Sequence, residues 1–397
     1  MNLSDRILNV PESETLAMAA KAREMKERGI DVISLSLGEP DFKTPKHIQE
    51  GAIQAIREEK YFSYPPVNGY LDLRKEISEK FRRDNNLNYT PDQIVVSNGA
   101  KQSIANVFMA LLNSGDEVIV FTPYWVSYSA MILLAEGKPV FIKGSFENDF
   151  KVTANQLKEA ITDRTKAVIF SSPCNPTGSV FRLEELEAIA EVLREKPDIS
   201  IISDEIYEYI NFSGKHVSIG ALEGMQDRTV TVNGFSKGFA MTGWRVGYIG
   251  APTWIAKAAN KMQGQYTSGN CSISQRAAYT ALTSPLEATF EMAKAYESRR
   301  NLVYGLLKDI PGFEVNMPEG AFYFFPNVKS YIGKSTGDIK INSIGDLCMY
   351  LLEDAHVSLV TGEAFGDPDC LRLSYAAGEE DLKMAVAKMK ESLAKLT

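Results

Sequence analysis

The chain is predicted to be an α/β protein with a mostly parallel central sheet flanked by helices. Between residues 92 and 250, short β-branched runs alternate with polar or glycine-rich turns and with helical stretches. The runs are continuously apolar, which suits strands buried on both faces of a sheet. The helical stretches between them are typical of parallel crossovers. The C-terminal part has a different pattern, which predicts a smaller α+β domain.

Five apolar runs are the predicted strands, at residues 94–96, 118–121, 167–170, 199–202 and 230–232. One crossover helix is predicted from an apolar stripe at Leu183, Leu186, Ile189, Ala190 and Leu193. The polar residues of interest follow the strands. We therefore expect them to gather at the carboxyl edge of one sheet, where open α/β sheets bind ligands.

The predicted larger domain spans residues 46–290, and residues 1–45 and 291–397 form the smaller one. In the smaller domain, a long helical stretch precedes short strands at 356–360 and 371–375. The chain closes with an amphipathic helix, whose apolar face holds Leu382, Ala385, Met389, Leu393 and Leu396.

Composition narrows the class of protein. With 397 residues, 44% of them hydrophobic, the chain can bury a core large enough for two domains. A net charge of -8 argues against nucleic-acid or anionic-membrane binding, and we see neither a signal-peptide core nor a bilayer-spanning run. The four cysteines form no CxxC pair, so we expect a cytoplasmic protein without a metal. The basic cluster at residues 80–83 is interpreted as a solvated helix end.

Lys237 and Arg245 suit a carbonyl compound that carries a phosphate. A lysine amine condenses with an aldehyde, and a guanidinium clamps a phosphate with paired hydrogen bonds. Gly99 and Ala100 open a helical stretch whose free backbone N–H groups provide a phosphate cradle. A plain turn before a helix is the alternative for these two residues.

Asp204 ends an apolar strand, where an unpaired carboxylate is costly. A protonated ring nitrogen would be a fitting partner, although a carboxylate at a helix start also complements the helix dipole. The Asn175 amide and the Tyr207 hydroxyl could both bond a phenolate oxygen of the same ring. Trp125 could stack on that ring or belong to the core. Arg372, within an alternating strand, requires a carboxylate, either from a substrate or from an ion pair.

Together these stretches resemble the class I aminotransferases, the fold type I enzymes that use pyridoxal 5′-phosphate, over essentially the full length. Within that family the similarity is to the bacterial aspartate aminotransferases. The matching segments are 37–42, Tyr64 with 68–69, 99–102, 123–128, 175–178, 203–207, 237–247, 319–323 and 372–375.

The resemblance implies that Lys237 is the catalytic residue and bonds covalently to the cofactor aldehyde. Asp204 would hold the ring nitrogen, and Arg245 the phosphate with the help of Tyr64 from a neighbouring subunit. Gly234 stands where many relatives place a hydroxyl on the phosphate. The residues implied to contact the cofactor are Gly99, Ala100, Lys101, Trp125, Asn175, Asp204, Tyr207, Ser236, Lys237, Arg245 and Tyr64.

The resemblance also implies the substrates. Arg372 would bind the α-carboxylate, and Lys101 with two hydroxyls the distal carboxylate. The residues implied to contact the substrate are Gly38, Trp125, Asn175, Arg372, Lys101, Ser13 and Thr15.

The implied reaction is reversible amino transfer from L-aspartate to 2-oxoglutarate, giving oxaloacetate and L-glutamate. The implied assembly is a homodimer with shared active sites. Three alternatives stay open: an aromatic or prephenate aminotransferase, a C–S β-lyase and a non-catalytic cofactor-binding module.

Overall fold

The structure, a computed structural model, describes residues 3–397. Its strands are β1 (Ile33–Ser34), β2 (Ile94–Ser97), β3 (Glu117–Thr122), β4 (Lys138–Lys143), β5 (Thr165–Ser171), β6 (Ser200–Asp204), β7 (Thr229–Gly234), β8 (Gly247–Gly250), β9 (Tyr323–Phe324), β10 (Ser335–Thr336), β11 (Ile339–Lys340), β12 (Val357–Ser358), β13 (Val360–Thr361) and β14 (Leu371–Ser374). Its α-helices are α1 (Asp5–Leu8), α2 (Glu14–Glu27), α3 (Lys46–Arg57), α4 (Leu71–Asn85), α5 (Ala100–Leu111), α6 (Ser127–Leu134), α7 (Ala154–Ala160), α8 (Leu183–Arg194), α9 (Thr253–Tyr266), α10 (Ser272–Thr283), α11 (Glu287–Lys308), α12 (Ile344–Asp354) and α13 (Glu379–Leu393).

The central sheet has the strand order β2-β8-β7-β6-β5-β3-β4. Strand β8 is antiparallel to both of its neighbours, and the other adjacent pairs are parallel. The five strands expected from continuous apolar runs are present, and β2, β3, β5 and β6 are buried along their whole length except for one half-buried residue in β5. The prediction of a mostly parallel central sheet is confirmed.

Helices flank the sheet with their apolar residues toward it. The stripe predicted for α8 is buried at Leu186, Ile189, Ala190 and Leu193, but Leu183 is 47% exposed, so its assignment to the apolar face was wrong. Leu183 is the first residue of the helix, where the chain still enters from solvent.

The terminal segments form a second, smaller α+β region. Strands β13, β14 and β9 make a three-stranded antiparallel sheet, and β1 pairs in parallel with β12. One apolar cluster contains Met18 and Leu35 from the N-terminal segment together with residues between Met292 and Leu396. Leu396 lies beyond the end of α13 but is buried. This core joins the two ends of the chain, and it also includes Tyr207, Ile210 and Ala240 from the predicted larger domain. The division at residues 45 and 290 stays a prediction.

The basic cluster at residues 80–83 is not a solvated helix end. Lys80 is 1% exposed and Phe81 is fully buried, so that part of the interpretation was wrong. The Lys80 ammonium contacts the carboxylate of Glu208 and donates to Asn85 Oδ1 at 2.7 Å. Only Arg82 and Arg83 carry their charges at the surface, each beside a carboxylate.

Candidate active site

A cavity of about 310 Å³ lies at the carboxyl ends of the parallel strands. The residues that follow β2, β3, β5, β6 and β7 all reach it, as the topology predicts. The predicted site residues that line it are Ser13, Thr15, Gly38, Ala100, Lys101, Trp125, Asn175, Asp204, Tyr207, Ser236, Lys237, Arg245 and Arg372.

Lys237 lies just after β7 and extends its amine into the cavity. Its Nζ donates to the Gly38 carbonyl oxygen at 2.5 Å. Burial lowers the pKa of Lys237 to about 8, with Glu39 opposing that shift and the Arg372 and Arg245 cations adding to it. The amine is therefore far closer to its neutral, nucleophilic form at pH 7 than a surface lysine is.

Asp204 is the last residue of β6 and is 3% exposed. Its Oδ2 accepts a hydrogen bond from the Tyr128 hydroxyl at 2.6 Å, and its Oδ1 accepts from the backbone N–H of Ile206 at 3.2 Å. Burial raises the pKa of this carboxyl to about 6, while both hydrogen bonds and the Lys237 charge oppose the shift. A cation in the cavity would stabilise the ionised form.

Gly99 and Arg245 together shape one end of the cavity. Gly99 precedes α5 with φ +82°, and a Cβ there would lie 2.5 Å from Arg245 Nη2. The Arg245 guanidinium bonds the carbonyl oxygens of Thr242 at 2.9 Å and Asn98 at 3.4 Å. A guanidinium beside the free N–H groups of a helix start is a favourable anion site.

Arg372 lies in β14 and is 2% exposed. Its Nη1 donates to Asn175 Oδ1 at 2.9 Å, and its Nη2 donates to the Ser36 carbonyl oxygen. Its Nε has no hydrogen-bond partner among the residues that the structure describes. The guanidinium lies 4.7 Å from the ring centroids of both Tyr323 and Phe365. Because a guanidinium carries five N–H donors, several remain available for a carboxylate.

Lys101, Trp125 and two hydroxyl residues line another part of the wall. Lys101 Nζ lies 5.1 Å from the centroid of the Trp125 ring. Burial lowers the pKa of Lys101, and the nearby Arg245 charge lowers it further. Ser13 directly precedes α2, and within residues 3–397 the buried Thr15 Oγ1 has no hydrogen-bond partner.

Two wall tyrosines were not among the predicted site residues. Tyr128 bonds Asp204, and Tyr323 shares a hydrogen bond of 2.6 Å with the Tyr207 hydroxyl. A signal for Tyr128 was available, because it lies only three residues after Trp125, and the turn that leads into α6 brings their ring centroids within 5.5 Å. Tyr323 stands within an aromatic run that is indistinguishable from core sequence.

Tyr64 is apart from the cavity of its own chain. Its side chain is 94% exposed, and it does not line the cavity that the other predicted residues share. Gly99 does not line the cavity either, but it lies beside Arg245, which does.

The residues present fit pyridoxal phosphate. The buried Asp204 carboxylate matches a protonated ring nitrogen, and the anion site at Arg245 matches a phosphate. Gly99 keeps the space beside the guanidinium open, because a side chain there would collide with it. The cavity also contains Lys237, whose pKa is lowered to about 8, as condensation of its amine with an aldehyde requires.

Comparison with known proteins identifies the family. The family model "Aminotransferase class I and II" matches residues 30–389. An aspartate aminotransferase from Bacillus subtilis is 44% identical over the whole of both chains. A Petunia hybrida protein, a bifunctional aspartate aminotransferase and glutamate/aspartate-prephenate aminotransferase, is 46% identical over 99% of this chain and 83% of its own length.

Among solved structures, the aspartate aminotransferase from Rhizobium meliloti superposes with a TM-score of 0.96. It is 42% identical in sequence, and the match covers 100% of both chains. The chain therefore belongs to the class I and II aminotransferases and is a transaminase of fold type I that depends on pyridoxal 5′-phosphate.

Proposed function

We propose that the enzyme reversibly transfers the amino group of L-aspartate to 2-oxoglutarate, giving oxaloacetate and L-glutamate. The observation that carries this proposal is the presence of two separate cations, Arg372 and Lys101, in the wall of one cavity. Each suits one carboxylate of a dicarboxylic substrate. The Thr15 hydroxyl lines the same cavity and has no hydrogen-bond partner among residues 3–397, which supports a further polar contact to the distal carboxylate.

In this proposal Arg372 binds the α-carboxylate, helped by the Asn175 amide and the Gly38 backbone, and Trp125 borders the substrate. Lys101, Ser13 and Thr15 bind the distal carboxylate. The role of Arg372 is supported by its free donors and by the two rings that fix its plane.

The proposed cofactor contacts use the other half of the cavity. Asp204 pairs with the ring nitrogen, Asn175 and Tyr207 bond the 3-oxygen, and Trp125 covers the ring face. The proposed phosphate contacts are Arg245, the backbone N–H groups of Gly99, Ala100 and Lys101, Ser236 and the partner's Tyr64, which leaves the Lys101 side chain for the substrate. When bound, pyridoxal phosphate supplies the electron sink that stabilises negative charge at the substrate Cα.

Lys237 is the proposed catalytic base and acid. Its neutral Nζ takes the proton from the substrate Cα and, as the resulting ammonium, would give that proton to C4′ of the cofactor. The lowered pKa makes the neutral form accessible. The contact with the Gly38 carbonyl oxygen holds the amine near the expected position of the α-carboxylate.

We further propose a homodimer in which each chain completes the other's site, because Tyr64 is exposed and does not line the cavity of its own chain. Phe62 and Tyr266, which are 65% and 67% exposed, are further apolar surface for such a contact. We also propose that the enzyme works in the cytoplasm, which the four free cysteines support. In the described residues, no helix is both long and apolar enough to cross a membrane.

The test is a panel of amino donors with 2-oxoglutarate as acceptor, applied to the wild type and to Lys101→Met. Loss of a charge-assisted hydrogen bond costs about 1.5–3 kcal/mol, so kcat/KM for aspartate should fall about 10- to 100-fold. The values for alanine and phenylalanine should be nearly unchanged. An equal fall for all donors would contradict the distal contact, and lack of aspartate turnover by the wild type would exclude the proposed reaction.

Prephenate is the second candidate acceptor, because it also carries two carboxylates and the Petunia relative bears that activity in its name. The same panel, extended to prephenate, ranks the two reactions by kcat/KM. Pyruvate release from cystathionine would instead indicate β-lyase chemistry.

A further inference from the structure

The Asp204 carboxylate has few partners for a group so deeply buried. In the described residues its hydrogen bonds come from the Tyr128 hydroxyl and the Ile206 N–H. The bond from Tyr128 is the shorter one, at 2.6 Å compared with 3.2 Å for the bond from Ile206. Tyr128 belongs to α6, so its hydroxyl approaches the carboxylate from a different element. Each carboxylate oxygen can accept about two hydrogen bonds. Because each oxygen of Asp204 accepts one here, one further hydrogen bond can be accepted by each.

We propose that Tyr128 is a positioning residue for the cofactor: its hydroxyl holds Asp204 Oδ2 so that the carboxylate stays charged and directed at the ring nitrogen. This inference rests on the proposed role of Asp204. It does not depend on which amino acid is the substrate.

The geometry makes Tyr128 a fixed donor. Its side chain is 1% exposed, and its ring meets the Trp125 indole edge to face, with centroids 5.5 Å apart and planes at 89°. Burial, and then the Asp204 charge, raise the pKa of Tyr128 well above its ordinary value. The phenol therefore keeps its proton at any working pH and can only donate to the carboxylate.

The Tyr128 hydrogen bond affects the charge state of Asp204. Burial favours the neutral acid, and the Tyr128 hydrogen bond is the largest influence that opposes burial. Without that hydroxyl the pKa of Asp204 should rise above about 6, so that a larger fraction of the carboxyl is neutral near pH 7. A neutral Asp204 cannot pair with a protonated ring nitrogen.

Tyr128→Phe tests this with the holoenzyme, and Tyr124→Phe is the matched control. Tyr124 precedes the same helix and is buried, but its hydroxyl donates to Ser129 at 3.1 Å instead of to Asp204. The first readout is the dissociation constant of pyridoxal phosphate, measured by equilibrium dialysis. The second is the pH midpoint of the acid limb of kcat for the best donor of the panel.

For Tyr128→Phe we expect a dissociation constant raised about 10- to 100-fold, the scale of a hydrogen bond to a charged group. The acid limb should move up by about 1–2 pH units. Tyr124→Phe should change neither. Equal behaviour of the two variants in both readouts would overturn the proposal.

A third variant separates positioning from simple destabilisation of the fold. In Asp204→Asn the charge is already absent, so adding Tyr128→Phe should weaken cofactor binding little further. A full additional loss would mean that Tyr128 acts independently of Asp204 and would also overturn the proposal. If aspartate proves not to be the substrate, the dialysis result keeps its meaning, so the two failures are distinguishable.

Discussion

At the scale of single residues, the cavity combines groups that burial drives away from their ordinary charge states. Lys237 and Asp204 are shifted in opposite directions, the amine toward its neutral form and the carboxyl toward its protonated form. Such paired shifts are typical of sites that move protons. The charges of the Lys237 amine and the Asp204 carboxyl therefore depend on the charge of a ligand bound in the cavity.

The pKa of Lys237 leads to a prediction for the cofactor-free enzyme. Condensation with an aldehyde requires the neutral amine, so its rate should rise with pH and level off above about 8. The rate constant for uptake of pyridoxal phosphate, followed by absorbance from about pH 6 to about pH 11 so that the ordinary lysine value is spanned, measures this. Lys237→Ala is the control and should show no covalent uptake. A midpoint near the ordinary lysine value of about 10.4 would contradict the burial argument.

The activity with aspartate should depend on both the shape and the charge of the side chain at position 372. Arg372→Ala should lower kcat/KM for aspartate by about 30-fold or more, because truncating a buried charge partner costs about 2–5 kcal/mol. Arg372→Lys keeps the positive charge but loses the planar fork, so its activity should lie between those of the wild type and Arg372→Ala. Equal activities of Arg372→Lys and the wild type would show that the fork is not used.

The position of polar residues at or just after the ends of parallel strands could be predicted from the sequence, because the topology brings those strand ends to one edge of the sheet. Asn175, Asp204 and Lys237 all reach one cavity for that reason. The hydroxyl of Tyr128 could not be assigned in this way, since its partner is 76 positions away and lies on another element. Hydrogen-bond direction depends on packing, which a pattern of apolar residues does not specify.

At the scale of elements, the end of β6 is anchored by a buried network of charged groups. Glu205, which follows Asp204, accepts hydrogen bonds from Ser203 at 2.9 Å and Ser218 at 2.6 Å, and it contacts His216 Nε2 at 2.9 Å. Burial would lower the pKa of His216, but the Glu205 charge and hydrogen bond raise it overall.

Helix α4 supplies the other half of this network. Asn85 donates to Glu208 Oε2 at 2.7 Å and accepts from Lys80 at 2.7 Å, so the helix is tied to the segment after β6. The strand end that carries Asp204 is therefore held from behind by residues outside the cavity.

This network predicts a large loss of stability in Lys80→Met. The variant leaves the Glu208 carboxylate buried without its cation, which costs about 3–5 kcal/mol. Arg82→Met on the same helix is the matched control, because its ion pair with Glu79 is exposed and is worth at most about 1 kcal/mol. Thermal unfolding of both holoenzymes ranks them, and equal melting temperatures would show that the buried pair contributes little.

The helical period of α4 indicates that Lys80 lies on the buried side of the helix. Leu73, Ile77 and Phe81 form the buried stripe of α4, and Lys80 lies three residues after Ile77 on that same side. The helical period therefore placed a lysine on the apolar face. Sequence alone could not supply its partner, because Glu208 comes from the turn after β6 and long-range pairing is a property of the folded chain.

At the scale of the whole molecule, the two ends of the chain meet on one side of the cavity. Ser13 and Gly38 come from the N-terminal segment and Arg372 from β14, while Lys237 and Asp204 come from the central sheet. The proposed substrate contacts therefore lie mainly on the smaller region, and the proposed cofactor contacts on the larger one. A change in the angle between the regions would open or close the substrate side of the cavity.

In the proposed dimer, Tyr64 would extend this division to a second chain. Residues 65–67 lie against the segment around Gly264 and Gly269, so Tyr64 and Tyr266 are on adjoining parts of the surface. If the partner's Tyr64 completes the phosphate site, a dimer that combines one chain altered at Lys237 with one chain altered at Tyr64 should keep one intact site. Mixing two inactive variants can test that arrangement directly.

We therefore predict that Lys237→Ala and Tyr64→Ala complement each other. In a mixed dimer one site has both changes and the other has neither, so equal mixing after unfolding and refolding should recover about a quarter of wild-type activity. The assay uses a cofactor concentration at which Tyr64→Ala alone is largely unloaded. Mixing Lys237→Ala with Arg372→Ala is the control: both side chains line the same cavity, so both sites of the mixed dimer are defective. Recovery in that control, or none in the first mixture, would mean that the sites are not shared between chains as proposed.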